Sequence, residues 1–88
     1  MIRKEQGYIL MTSCGRVLCE RNGSYHFIAD LFSAKFFENR NEACDDLKKA
    51  WEMWGEHLFV VPTERTINLL GWLNGHDAKI YIYRCTCN

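Results

Sequence analysis

Cysteine is the residue type in this chain with the most evident capacity for chemistry, and the chain has five: Cys14, Cys19, Cys44, Cys85 and Cys87. Four of them, Cys14, Cys19, Cys85 and Cys87, could supply thiolates to a tetrahedral zinc ion that would help to stabilise a small domain. The spacing disfavours this interpretation. Cys85 and Cys87 fall on one face of a predicted strand, and Cys19 lies mid-strand, where a small buried side chain is ordinary. A zinc-stabilised binding domain is therefore the alternative hypothesis, and the main hypothesis assigns no cofactor.

Nucleophilic catalysis would require a cysteine or serine beside a histidine and an orienting carboxylate. The chain contains these ingredients as Cys14, His26, His57, His76 and Asp77, and the histidines could also replace a thiolate at zinc. No local signature ties these residues together. We therefore predict that the chain is not an enzyme, and a small thiol enzyme is the weakest of three hypotheses.

Aromatic residues indicate a binding surface near the end of the chain. Tyr81 and Tyr83 alternate on the last predicted strand. Such a pair could stack on RNA bases, or lie buried with the hydroxyls reaching backbone, or form part of a protein-binding surface with Trp72. Tyr and Trp are favoured at protein interfaces, and the partner-binding hypothesis therefore rests on these three residues.

Length and charge narrow the function classes. The 88 residues predict a single domain spanning 1–88, and 11 basic residues balance 11 acidic ones. A nucleic-acid binder usually carries a basic surplus, so nucleic acid is disfavoured, while neutrality favours self-association, and a homodimer is one expectation. The apolar run at 8–11 is too short for a signal sequence or a membrane span. The number of cysteines is odd, whereas a secreted domain held by disulfides would normally have an even number. We expect a cytoplasmic protein with no membrane contact.

Sequence patterns predict an α+β fold, a mostly antiparallel sheet of four to six strands packed against one long and one short helix. Strands are expected at 8–12, 16–20, 25–29, 34–37, 57–61 and 78–85, with a hairpin turn at 22–24. The long helix is expected from about Arg40 to Trp54, capped by Asn39 and closed by Gly55, with Lys49 paired to Asp45.

An apolar stripe of Ala43, Leu47, Ala50, Trp51 and Trp54 should face the core from this helix.

A second, shorter helix is expected after Pro62, which should stop the preceding strand. Thr63 would cap this helix, and Ile67, Leu70 and Leu73 would form its apolar side. Gly71 would let it approach the sheet closely.

The first half of the chain resembles small phage and prophage accessory proteins. The resemblance covers residues 8–50 and is carried by Tyr8-Ile9-Leu10, Gly15-Arg16-Val17-Leu18, Asn22-Gly23, Ala34-Lys35-Phe36-Phe37 and Glu42-Ala43. Similar compact folds occur among phage inhibitors of host defence, including anti-CRISPR proteins. The resemblance implies a steric inhibitor that occludes a host protein without cofactor or catalysis, and it assigns no particular binding residue.

Overall fold

Five strands and one α-helix make up the part of the chain that the computed structural model describes, which is residues 2–73 and 76–86, with side chains at 2–67 and 81–86. The elements in chain order are β1 (Ile2–Thr12), β2 (Val17–Arg21), β3 (Ser24–Ile28), a 3₁₀ turn (Leu31–Ser33), α1 (Arg40–Trp54), β4 (Leu58–Leu73) and β5 (His76–Cys85). All strand pairs are antiparallel, and the sheet order is β3-β2-β1-β4-β5. The predicted α+β class and antiparallel sheet are confirmed. No helix among these residues is long and apolar enough to cross a bilayer.

The helix α1 begins and ends where its capping residues predict. Asn39 has an extended backbone, and its side-chain oxygen accepts a hydrogen bond of 2.7 Å from the Asn41 N–H. Gly55 adopts the left-handed conformation with φ of 67°, and its N–H donates to the Trp51 carbonyl. Local sequence therefore fixes both ends of the long helix.

The buried face of α1 differs from the predicted stripe. Ala43, Asp46 and Ala50 are its buried residues, spaced at i, i+3 and i+7, whereas Trp51 and Trp54 are exposed. Two alanines allow the helix to approach the sheet closely, and the buried position between them is occupied by a carboxylate with partners of its own. Lys49 lies 3.9 Å from this Asp46 carboxylate rather than in the predicted pair with Asp45.

A short extended segment, residues 35–37, lies between β1 and β2. The two strands pair at Met11 and Val17, and farther along the segment bonds to both of them. Phe37 and Tyr8 exchange two backbone hydrogen bonds of 2.8 Å, and the Lys35 N–H donates to the Leu18 carbonyl at 2.9 Å. The fourth strand predicted at 34–37 is thus reduced to a single bridge, which fills the gap in the sheet.

The predicted second helix is wrong, because β4 continues through Pro62 to Leu73. Tyr8 lies opposite Pro62 but directs its N–H and C=O to Phe37, so this pair exchanges no bonds across β1 and β4. The backbone of Pro62 therefore faces the other side, where its carbonyl accepts from the Thr86 N–H just beyond the end of β5. A proline at this position removes at most one bond at the end of a ladder, and the strand continues.

The core has one layer on each face of the sheet. The helix side is formed by Leu10, Leu18, Phe37, Ala43, Ala50 and Leu58. The opposite side is formed by Ile9, Val17, Ala34 and Tyr83, with Leu31 and Phe36 packed against them. The residues after β3 therefore cover the face that the helix leaves open.

Candidate interaction surface

The cysteines of the zinc hypothesis lie in different parts of the fold. Cys14 is exposed in the turn between β1 and β2, Cys19 is buried in β2, and Cys85 is exposed at the end of β5. Two strands separate β2 from β5, about 14 Å at ordinary strand spacing, whereas thiolates on one zinc lie about 4 Å apart. Cys87 lies outside the described residues. Within those residues, no three metal-ligating side chains form a cluster.

The thiol of Cys14 has a distinct electrostatic environment. The Thr12 hydroxyl accepts from the Arg16 N–H at 3.0 Å, which leaves its own proton free to point at the Cys14 sulfur 3.2 Å away. The pKa of Cys14 is lowered chiefly by this hydrogen bond, which together with the backbone N–H and charge of Arg16 outweighs the opposing effect of desolvation. An exposed thiol with a lowered pKa is more reactive than an ordinary one.

The histidines are not gathered around Cys14. His26 lies opposite Cys19 on β3, and His57 stacks on Trp51 with 4.3 Å between ring centroids. His76 begins β5 and Asp77 follows it, but their side chains lie outside the described residues. The structure brings Cys44 and His57 to a common groove, a pairing that the sequence did not suggest.

The three aromatic residues predicted to bind a partner differ in exposure. Tyr83 is 8% exposed, and its hydroxyl donates a hydrogen bond of 3.2 Å to the Ala34 carbonyl. Tyr81 is 38% exposed and lies beside the Arg65 guanidinium, 5.2 Å from its ring centroid. Trp72 belongs to β4, but its side chain lies outside the described residues. Tyr83 therefore anchors the chain after β3, while Tyr81 presents surface.

Large apolar side chains cluster at the end of α1. Trp51, Met53 and Trp54 are 50%, 65% and 44% exposed, and we call these three residues the helix-end patch. They occupy the last four positions of the helix. Trp and Met are enriched in the centres of protein interfaces, whereas isolated exposed apolar residues are ordinary on protein surfaces. Three such residues within one turn mark this end of the helix as a candidate contact surface.

Both indoles of the helix-end patch are held by neighbouring rings. Trp54 makes edge contacts with Tyr25 and Phe27 of β3, at centroid distances of 5.9 and 5.8 Å. Trp51 packs against His57 after the helix. Rings that are already fixed lose little conformational entropy when a partner covers them. The patch therefore combines exposure with order.

Two grooves flank the helix-end patch. One is lined by Cys44, Leu47, Lys48, Trp51, Glu56, His57 and Leu58. The other is lined by Gly23, Ser24, Tyr25, Met53 and Trp54. The first groove is mostly apolar, with a lysine and a glutamate among its lining residues. A partner could insert side chains on either side of the exposed rings.

An ionic cluster of Asp46, Lys35 and Glu20 fixes Tyr25, which in turn contacts Trp54 of the helix-end patch. The carboxylate of Asp46, 6% exposed, accepts from the Tyr25 hydroxyl at 3.0 Å and from the Lys35 ammonium at 2.9 Å. Burial raises the pKa of Tyr25, and the Asp46 bond raises it further. Burial alone would lower the pKa of Lys35, but its bonds to Asp46 and Glu20 outweigh this effect and raise it to about 12. Tyr25 is thus fixed by Asp46 on one side and contacts Trp54 on the other.

Sequence reasoning missed this surface because helical spacing assigned Trp51 and Trp54 to the core. The signal available in the sequence was the presence of two small residues, Ala43 and Ala50, on the same stripe. They mark the place of closest approach and leave the larger residues nearer the end less covered.

Comparison of the chain with family models, curated proteins and solved structures finds no match.

Proposed function

We propose that this chain is a non-enzymatic protein-binding module that acts by covering a surface of a host protein, with the helix-end patch as its contact. The observation that carries the proposal is the exposure of Trp51, Met53 and Trp54 within one helical turn. Their indoles are ordered by Tyr25, Phe27 and His57 before any partner arrives.

The physical argument concerns how such residues bind. A few buried aromatic anchors usually carry most of the binding energy of an interface, and Trp and Tyr are prominent among them. Met53 adds an adaptable side chain beside two rigid ones. A contact of this kind requires neither a cofactor nor a reactive group, in keeping with the steric mode of action.

The partner class in this proposal is a host protein, and the chain would be an inhibitor encoded by a phage or mobile element. This part rests on the resemblance of residues 8–50 to small phage accessory proteins. Tyr81 of β5 is the alternative contact, from the sequence-based prediction that also named Trp72 and Tyr83. The two surfaces can be distinguished because they lie on different elements.

The direct test is gentle recovery of a tagged chain from a bacterial host lysate, followed by native mass spectrometry. The proposal predicts one host protein bound in fixed stoichiometry to the unmodified chain. The double variant Trp51→Lys/Met53→Lys should lose this protein, whereas Tyr81→Ala should retain it. Trp54 is left unchanged in the variant because its ring contacts two residues of β3.

Two results would contradict the proposal. Equal capture by the double variant would exclude the helix-end patch as the contact, and loss with Tyr81→Ala alone would favour the β5 surface. One zinc ion per chain in the same spectra, with unfolding on chelation, would instead support the zinc-stabilised domain.

A further inference from the structure

The outer edge of β5 is a long strand edge that no other described strand covers. β5 is the last strand in the sheet order and has ten residues, whereas β3 at the opposite edge has five. Proteins usually keep edge strands short or interrupt them with proline, because open N–H and C=O groups recruit another strand. The sequence of β5 has no proline, and its charged residues Asp77, Lys79 and Arg84 leave the central residues 80–83 uncharged. This edge is therefore suited to pairing.

The hydrogen bonds between β4 and β5 show which residues of β5 direct their backbone N–H and C=O groups away from the sheet. The Thr86 N–H donates to the Pro62 carbonyl, and the pairing of β5 with β4 is regular from Lys79 to Cys85. Since backbone groups alternate along a strand, Ile82 directs its N–H and C=O to β4. Tyr81 and its odd-numbered neighbours direct theirs away from the sheet.

We propose that a second copy of this chain occupies this edge, with the two β5 strands paired antiparallel about a two-fold axis at Tyr81. The two sheets would then join into one of ten strands. A two-fold axis perpendicular to the sheet keeps each residue on its own face, so outward-facing residues bond to one another. Tyr81 would exchange both backbone bonds with its counterpart. The proposal is independent of the helix-end patch.

Charge permits this occupant, and charge together with the length of overlap selects the position of the axis. The chain has no net charge that would oppose association of two copies. An axis at Tyr81 places Lys79 opposite Tyr83, and Arg84 opposite Ala78, so that no like charges meet. An axis at Ile80 would place Arg84 opposite His76, another basic residue, and an axis at Ile82 would pair only residues 79–85 of β5 instead of 77–85.

Exposure at the centre of the edge supports the same pairing. Tyr81 and Ile82 are both exposed, and because they are adjacent in a strand they lie on opposite faces of the sheet. Pairing of two edges would cover part of each. The dimer would therefore bury apolar surface on both faces of the sheet near the two-fold axis.

The test uses proline substitution and light scattering of the purified chain over a range of concentrations. The unmodified chain should reach twice the 10.4 kDa of one copy. Tyr81→Pro removes an outward N–H and leaves the bonds to β4 intact, so it should be folded and monomeric. Tyr81→Ala keeps the N–H and should still dimerise. Ile82→Pro is the contrasting control, since it removes an inward N–H and should loosen β5 itself.

Several results would overturn the proposal: a monomer at every concentration, a Tyr81→Pro variant that remains dimeric, or a dimer abolished by Met53→Lys instead. If Tyr81→Pro fails to fold, amide hydrogen exchange of the unmodified chain decides the question. The Tyr83 N–H should exchange slowly in the dimer and much faster on dilution to the monomer. Equal exchange in both states would contradict the pairing.

Discussion

The Lys35 ammonium lies 2.9 Å from the buried Asp46 carboxylate and connects the segment between β1 and β2 to the helix α1. Lys35 also lies 3.2 Å from Glu20 of β2. Three parts of the chain that are distant in sequence therefore meet at one ammonium group. Because Asp46 also binds Tyr25, the same group contributes to the order of the helix-end patch.

Lys35→Met should destabilise the fold more than Lys48→Met, an exposed substitution on α1. Removing the lysine leaves the Asp46 carboxylate buried with less compensation. Breaking a fully buried ion pair costs about 3–5 kcal/mol, and we expect about 2 kcal/mol here because Lys35 retains solvent contact. Urea denaturation measures both values. Equal effects of the two substitutions would contradict a stabilising role for the pair.

The ion pair of Lys35 and Asp46 also predicts that folding stability depends on pH in the alkaline range. The pKa of Lys35 is raised in the folded chain, from 10.5 to about 12, because its hydrogen bonds to Asp46 and Glu20 outweigh desolvation. A raised pKa contributes stability that is present in full below pH 10.5 and is lost as the pH rises through about 12. The stability difference between the unmodified chain and Lys35→Met should be constant near neutrality and shrink in this window.

Gly7→Ala should destabilise the sheet where Phe36 and Phe37 cross it. A Cβ atom at Gly7 would lie 2.5 Å from the Phe36 ring and would also meet the Phe37 carbonyl oxygen. Overpacking of this kind costs about 2 kcal/mol. Combining the change with Phe36→Ala should give a smaller loss than the two single losses together, since the clash with the ring disappears and only the clash with the Phe37 carbonyl oxygen remains. Strict additivity in urea denaturation would argue against this contact.

Tyr83→Phe and Tyr81→Phe form a matched pair on one strand. Tyr83→Phe removes the hydrogen bond to the buried Ala34 carbonyl and should cost about 1 kcal/mol. Tyr81→Phe changes an exposed ring and should remain within about 0.5 kcal/mol of the unmodified chain. Thermal and urea unfolding check both. A larger loss of stability for Tyr81→Phe than for Tyr83→Phe would contradict the assignment of the stabilising hydrogen bond to the Tyr83 hydroxyl.

Cys14 should react with iodoacetamide faster than Cys44 at neutral pH, although both are exposed. The hydrogen bond with Thr12 lowers the pKa of Cys14 and so raises its thiolate fraction. Thr12→Val should slow the reaction, and Thr12→Ser should restore it because the hydroxyl is retained. Peptide mapping by mass spectrometry gives the rates. Similar rates for Cys14 and Cys44 would contradict the prediction that the Thr12 hydrogen bond makes Cys14 unusually reactive.

Local signals were sufficient for α1, since Asn39 and Gly55 act on their own neighbours. They failed for residues 63–73, where Ile67, Leu70 and Leu73 are spaced as in a helix. The strand forms there because β1 and β5 lie on either side and pair with it along most of its length. Such a tertiary contribution overrides local preference and is not visible in a short window.

The candidate surface was predicted less well than the fold. The Asp46 cluster depends on Lys35 and Tyr25, which lie 11 and 21 residues away in sequence. Periodicity predicts that Trp54 faces the sheet, and it does contact Tyr25 and Phe27, but the helix ends there and leaves part of the ring uncovered. The extent of exposure depends on where the neighbouring strands end.

The affinity of the captured host protein for three forms of the chain tests the central claim most directly. The unmodified chain and Tyr81→Ala should bind with similar dissociation constants. Trp51→Lys/Met53→Lys should bind roughly 30-fold more weakly or worse, as expected for loss of a hot spot, while its unfolding curve stays close to that of the unmodified chain. Undiminished binding by the folded double variant would contradict the assignment of the helix-end patch as the contact surface.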